Sequence, residues 1–211
     1  MWPTYMNELI YLVDLGLGNL GSVTNMLARA GAQVQRVSEP AALAEANKVI
    51  LPGVGSFDAI VQKLDAANFR QPLLDHAQRG GYLLGICLGM QLLAEGSDEG
   101  ALAGLGLVPG RVRRFRFVGD LAHLKVPHMG WNQVRIGHAH PLGQGLEDGA
   151  RFYFVHSYYF DCASEEDVLF RTSYGHDFAS GVQRGNVMGV QFHPEKSHRY
   201  GMQLIRNFVG L

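Results

Sequence analysis

The chain is poor in cysteine, with two among 211 residues. Two thiols cannot build a disulfide framework, and a reducing cytoplasm is the expected compartment. No sign of charge dominates. The 18 Lys and Arg face 19 Asp and Glu, a formal net charge of −1, which gives no long-range pull on nucleic acid. No stretch of about 18 uncharged apolar residues exists, so no membrane span is expected. The opening MWPTYMNELIYLVD has no basic segment, and Glu8 and Asp14 interrupt its apolar part, unlike a secretory leader. Repeats, low-complexity tracts and long linkers are also missing. With 47% hydrophobic residues, the expectation is one domain over 1–211, of which 1–7 form an extension outside the core. A chain of this size buries roughly 70% of its unfolded surface and needs no staples.

What is present is an alternation. LIYLVD (9–14), AQVQRV (32–37), KVILPG (48–53) and YLLGI (82–86) read as buried strands. Between and after them, helical patterns cover 21–31, closed by Gly31, then 56–64, capped by Ser56, then 69–81 and 88–96. Strand and helix in turn imply a parallel sheet covered on both faces. From about 105 to 195 short strands follow one another, at 105–115, 131–136, 151–160, 168–174, 178–185 and 186–193. They suggest antiparallel hairpins added to the parallel sheet. An amphipathic helix, 199–211, closes the chain. The fold class is therefore α/β, a mixed and mostly parallel sheet flanked by helices, with antiparallel strands in the second half.

Cys87 lies in GICLGMQ (85–91), where a strand ends and a helix begins. A free cysteine is more often a small buried hydrophobe than a reagent. Here, however, Gly85 and Gly89 flank it at two residues on either side. That is the G-x-C-x-G form of a nucleophile elbow, a turn so tight that glycines are needed for its close approaches. A helix N-terminus behind the sulfur favours a thiolate.

A thiolate nucleophile needs a base and an orienting acid. GVQFHPEKS (189–197) supplies His193 and Glu195, two apart on a segment that Pro194 keeps extended, so both point the same way. LPGVGSF (51–57) is a glycine-rich turn after a strand, suited to aim the N–H groups of Gly53 and Val54 at an oxyanion. Each piece alone also reads as ordinary structure: a surface histidine beside a solvated glutamate, or a strand-to-helix loop. Together they read as a Cys-His-Glu triad.

Other patterns point less far. GLGNLG (16–21), with Glu39 downstream, fits the dinucleotide fingerprint on paper, and equally a tight glycine turn stitched by Asn19. GHAHPL (137–142) reads as a polar loop, and RVRRFRF (111–117) as an edge strand with solvated charges. Cys162 falls in an acidic, loop-like stretch.

PGVGSF, GICLGMQLL and GVQFHPEKS, in that order and spacing, resemble the class I (triad) glutamine amidotransferases. DLGLGNLGSV and VPHMGWNQV (126–134) narrow the resemblance to the glutaminase subunits of histidine biosynthesis, over about residues 9–210. The resemblance implies that Cys87 attacks the side-chain amide of glutamine, with His193 as base and Glu195 as its partner. Gly53, Val54 and Leu88 would form the oxyanion hole. Gln91, Glu99, Ser157 and Tyr158 would hold the amino-acid end of the substrate, Glu99 by pairing with its ammonium. Trp131, His128, Asn132, Tyr153 and Lys196 would face a partner and an ammonia passage. The partner implied is a cyclase subunit, a (β/α)8 barrel in a heterodimer. No cofactor, metal, nucleic acid or membrane is implied, and GLGNLG becomes the family's own opening turn. Three alternatives stand beside this: a paralogue feeding ammonia to another synthase, such as one amidating a surface sugar; a nucleotide-binding module built on GLGNLG; and a stand-alone cysteine hydrolase.

Overall fold

The computed structural model describes residues 8–147 and 149–211; the expected extension 1–7 lies outside them. The first half runs β1 (Leu9–Val13), α1 (Leu20–Arg29), β2 (Gln33–Val37), β3 (Lys48–Gly53), α2 (Phe57–Ala66), α3 (Arg70–Gln78), β4 (Tyr82–Cys87), α4 (Leu88–Gln91) and β5 (Gly96–Ser97). The second half runs β6 (Gly110–Arg114), β7 (His128–Ile136), β8 (Ala150–His156), β9 (Tyr158–Cys162), β10 (Val168–Tyr174), β11 (His176–Arg184), β12 (Val187–Val190) and α5 (His198–Val209).

Among the described residues the twelve strands form one sheet, with main order β2-β1-β3-β4-β12-β11-β10-β7-β8. Strands β2, β1, β3, β4 and β12 run parallel. From β11 onward the main path is antiparallel, and a side branch runs from β11 through β9 to β6, where β5 pairs parallel. The first four parallel strands follow the sequence pattern. The fifth, β12, comes from the far end of the chain and inserts between β4 and β11.

Alternation along β1 builds the two layers. Ile10 and Leu12 enter the core shared with α1 and α5, while Tyr11 and Val13 enter the core shared with α2 and α3. On α1 the buried residues are Leu20, Val23, Met26 and Leu27, one helical face. On α5 they include Leu204, Ile205 and Phe208, each worth about 1.5–3 kcal/mol when fully buried. Buried Lys48 on β3 donates to the Val209 carbonyl at 2.6 Å, a cation at the C-terminal end of α5.

Four expectations are corrected. The helix over 88–96 is only the four-residue α4. Beyond it the Leu93 and Ala94 amides turn back only three residues, to the Met90 and Gln91 carbonyls, and the Glu95 amide donates to the Gly110 carbonyl, which ends the helix. The Leu92, Leu93, Ala94 and Glu95 carbonyls accept from the amides of Leu105, Val108, Gly106 and Gly104. For the same reason the strand expected from 105 begins only at Gly110. The strand 151–160 breaks at Ser157: β8 pairs with β7, whereas β9 pairs with β6 and β11. Finally, Cys162 ends β9 rather than sitting in a loop, and burial, aided by Asp167 and Asp161, pushes its pKa up to about 12.

Candidate active site

Three neighbouring strands bring the sequence motifs to one edge of the sheet. In the β3–β4 register Gly53 lies opposite Cys87. In the β4–β12 register Ile86 lies opposite Val190, so the chain leaving β12 carries His193 past the same edge. This is the carboxyl edge of parallel strands, where open α/β sheets place their sites.

Cys87 adopts φ 56° and ψ −113°, a strained conformation for a residue with a Cβ. The glycines around it are dictated by contact. A Cβ on Gly89 would lie 1.8 Å from the Leu51 carbonyl oxygen, and one on Gly85 would lie 2.5 Å from the Gly89 oxygen. On Gly53 it would meet the Gly89 nitrogen at 2.6 Å. Strand β3, the elbow and α4 therefore touch backbone to backbone, and the thiol is held where that packing puts it.

His193 is 5% exposed. Its amide donates to the Tyr153 carbonyl at 2.9 Å. Ser197 Oγ donates to the His193 carbonyl at 2.6 Å and accepts from the Tyr153 amide at 3.0 Å. The ring is thus fixed from its own backbone outward. Glu195 does not continue an extended segment as expected: His193 is extended, but Pro194–Lys196 form a single 3-10 turn, and His193 Nδ1 lies 2.7 Å from Glu195 Oε1. Among the described residues, buried His193 Nε2 and Glu195 Oε2 make no hydrogen bond of regular geometry, and Nε2 is left to the Cys87 thiol, the side chain with the largest upward pull on the ring. Burial works against a charged ring, but the Cys87 and Glu195 side chains outweigh it together and push the His193 pKa up to about 9. That balance suits a thiolate–imidazolium pair.

A cleft of about 380 Å³ opens over the thiol, lined among others by Val54, Leu88, Gln91, Glu99, Ser157 and Lys196. It has room for a small molecule. Gly53 faces instead a narrow space behind, together with Gly18, Asn19, His193 and Glu195. GLGNLG is therefore the floor beneath the Val54 turn: Gly18, at φ 88°, packs against the Val54 side chain. Asn19 Oδ1 accepts from the Ser22 amide at 3.2 Å and caps α1, as the turn reading requires. Glu99 Oε2 accepts from the Phe57 amide at 2.9 Å, at the start of α2. Ser56, expected to cap that helix, makes no side-chain capping bond.

The residues expected at a partner surface divide. Trp131 is 40% exposed and stacks on His198, with ring centroids 5.3 Å apart. Lys196 lies over the Tyr153 ring at 5.6 Å. His128 is only 3% exposed, packed between Phe154 and Tyr174. Burial pushes its pKa down to about 4. Asn132 joins it through a 3.1 Å contact between its side-chain amide and the ring. Around GHAHPL, His138 contacts the Val168 carbonyl and Gln183, and His140 accepts from the Leu142 amide. Among the described residues no group of three or more His, Cys, Asp or Glu is placed to hold a metal, and no helix is long and apolar enough to cross a membrane.

Two residues escaped sequence reasoning. Gln191, fully buried, points its Nε2 toward Cys87 Sγ at 3.8 Å. Its spacing of two from His193 on an extended segment was the available signal. His156, which lines the cleft, is buried and neutral; burial chiefly pushes its pKa down to about 3, against its bond to the Tyr158 carbonyl. Nothing local marks it.

A strand-to-helix cysteine, a His193–Glu195 pair and a glycine turn on one sheet edge define a triad amidotransferase site. The glutamine amidotransferase class-I family model matches residues 11–210, and the chain belongs to that family. Within it, the chain is 47% identical over 201 residues to imidazole glycerol phosphate synthase subunit HisH of Bdellovibrio bacteriovorus, covering 95% of this chain and 98% of that protein. It is 48% identical over 200 residues to the HisH subunit of Moorella thermoacetica, covering 94% and 93%. The fold is also that of the structure of PurLQS from Thermotoga maritima, with a TM-score of 0.73 at 19% identity, covering 97% of this chain and 99% of that one.

Proposed function

We infer that the chain is the glutamine-hydrolysing subunit of an imidazole glycerol phosphate synthase. The observation that carries this is the Cys87 elbow beside the His193–Glu195 pair, in a chain 47% identical to a HisH subunit. Cys87 Sγ attacks the glutamine side-chain amide, and His193 takes the thiol proton. The tetrahedral oxyanion is met by N–H groups of Leu88 and of the Gly53–Val54 turn. Ammonia leaves with a proton from His193, giving a γ-glutamyl thioester. Water then attacks, His193 again accepting a proton, and glutamate is released. Glu195 holds the ring through Nδ1 and offsets its charge. Gln91, Glu99 and the Ser157–Tyr158 backbone bind the amino-acid end of the substrate.

The relatives are named as one subunit of a synthase, so this chain works with a partner subunit. We read that partner as a (β/α)8 cyclase in a heterodimer, in the cytoplasm. It receives the ammonia and yields imidazole glycerol phosphate and aminoimidazole carboxamide ribotide. The whole chain is read as one glutaminase domain. Exposed Trp131 and Met129 on β7, 40% and 62% accessible, and Lys196, which lines the same cleft as Cys87, support docking over the cleft mouth. The test is glutamine hydrolysis by the chain alone, then with the cyclase subunit, then with acceptor ligand. Turnover rises stepwise if the reading is right. Full activity in isolation favours a stand-alone hydrolase.

A further inference from the structure

A line of hydrogen bonds runs from strand β7 to the Cys87 sulfur, and the reaction steps above leave most of its members unused. Backbone carbonyls, which only accept, fix its direction at two points. At the outer end the Ser173 carbonyl accepts from Asn132 Nδ2 at 3.0 Å. The same nitrogen lies 3.1 Å from His128 Nε2, which must therefore accept. A neutral imidazole has one donor and one acceptor. His128 Nδ1 thus carries the proton and donates to His156 Nε2, 2.9 Å away. His156 Nδ1 donates in turn to the Tyr158 carbonyl at 2.7 Å.

That carbonyl is the second fixed point. It also accepts from Gln91 Nε2 at 3.2 Å, which sets the Gln91 amide the right way round. Gln91 Nε2 donates as well to Gln191 Oε1 at 2.9 Å. The oxygen of Gln191 being engaged, its nitrogen is left facing Cys87 Sγ at 3.8 Å. One arrangement of protons satisfies every link. Gln91, His128, His156 and Gln191 are 4%, 3%, 6% and 0% exposed, so water does not compete for these bonds.

We propose that Gln191 is a catalytic residue whose amide donates to the Cys87 sulfur as negative charge develops there, and that His128 and His156 are positioning residues that keep this amide in its donating orientation. The inference rests on Cys87 being the nucleophile. An N–H aimed at a thiolate makes a charge-assisted bond, stronger than the one to the neutral thiol. The same amide turned over would aim an oxygen lone pair at the thiolate and oppose it. The two imidazoles act at a distance: they hold the Tyr158 carbonyl, which holds Gln91, which holds Gln191.

The test uses the full chain and iodoacetamide at neutral pH, with mass spectrometry separating Cys87 from Cys162. Gln191→Met keeps the side chain's length and loses its N–H; alkylation of Cys87 should slow about tenfold, the worth of a bond to a charged group. His156→Phe keeps a ring and loses the link; the expected slowing is about threefold, and the double variant should be no slower than Gln191→Met alone. A wild-type rate in Gln191→Met, or effects that multiply independently, would overturn the inference. A second measurement needs no variant. Nitrogen-15 spectra of the wild-type chain should show both imidazoles as Nδ1–H tautomers, and an Nε2–H tautomer at either one refutes the chain of bonds. If wild-type Cys87 reacts no faster than Cys162, the nucleophile assignment itself fails. A reactive Cys87 indifferent to Gln191→Met removes this inference alone.

Discussion

The two halves of the sheet contribute to the cleft in different ways. On the parallel side, β3, β4 and α4 meet backbone to backbone, and their geometry comes from what is missing: Cβ atoms at Gly53, Gly85 and Gly89. On the antiparallel side, β7, β8 and β9 meet through rings and amides, with Phe115, Phe154 and Phe178 packed around His128 and His156. The first side places the reacting atom. The second orients what surrounds it. Damage to the backbone-built side should therefore be all-or-none, and damage to the side-chain-built side should be graded.

The largest effect is expected at Cys87. Cys87→Ala should abolish glutamine turnover in the presence of the partner while circular dichroism stays native, and Cys162→Ser should change turnover little. Cys87→Gly should be equally inactive yet more stable than Cys87→Ala by about 1–3 kcal/mol in denaturant melts, because glycine relieves the positive φ. Equal stabilities would remove the strain from the account of the elbow.

Next comes the base. His193→Asn should lower turnover about a hundredfold to ten-thousandfold, and Glu195→Gln by less, since an orienting residue is partly dispensable. Steady-state kinetics that place Glu195→Gln below His193→Asn would reverse the assigned roles.

Gly89→Ala attacks the backbone side directly, driving a methyl group into the Leu51 carbonyl. It should cost at least the roughly 1–3 kcal/mol of an overpacked core, together with most of the activity. A stable, active Gly89→Ala protein would mean that the elbow tolerates slack.

The pH dependence of stability separates the two sides more gently. His193, raised from 6.5 to about 9, contributes stability that is fully present below pH 6.5 and is lost as pH climbs through 9. His128 and His156, depressed to about 4 and 3, act in the opposite sense: stability holds above pH 6.5 and is lost as pH falls toward those values. Melting temperature against pH should show both limbs, and His193→Asn should flatten only the alkaline one. The smallest effect is expected from Trp131→Ala, which should weaken binding of the cyclase subunit while alkylation of Cys87 stays near normal.

The same division explains what could be read from the sequence. Gly85 and Gly89 bracket Cys87 visibly because a backbone collision depends on the residues at fixed spacing. His193 and Glu195 are legible as a pair from their spacing, but the turn Pro194–Lys196 that carries Glu195 is not the extended segment their spacing implies. The helical pattern over 88–96 is longer than the helix because the Leu93 and Ala94 amides tighten to i−3 and the Glu95 amide pairs with Gly110, a residue that no local pattern brings there. His156 was invisible: its position follows from the change of strand partners at Ser157, an event of tertiary pairing. Trp131 and His128 share one short motif, but pleating puts them on opposite faces of β7: Trp131 points outward, and His128 points inward on the same face as Asn132.

The insertion of β12 beside β4 sets an order of events during synthesis. By the time residue 96 has left the ribosome, the elbow, its glycines and the oxyanion turn all exist as chain. The base is still unmade, because His193 follows about a hundred residues later. Until β12 slots in, the thiol has neither His193 nor Gln191 beside it. A partly made chain therefore has a cysteine but no competent nucleophile, and the reaction becomes available only once nearly the whole sheet has closed.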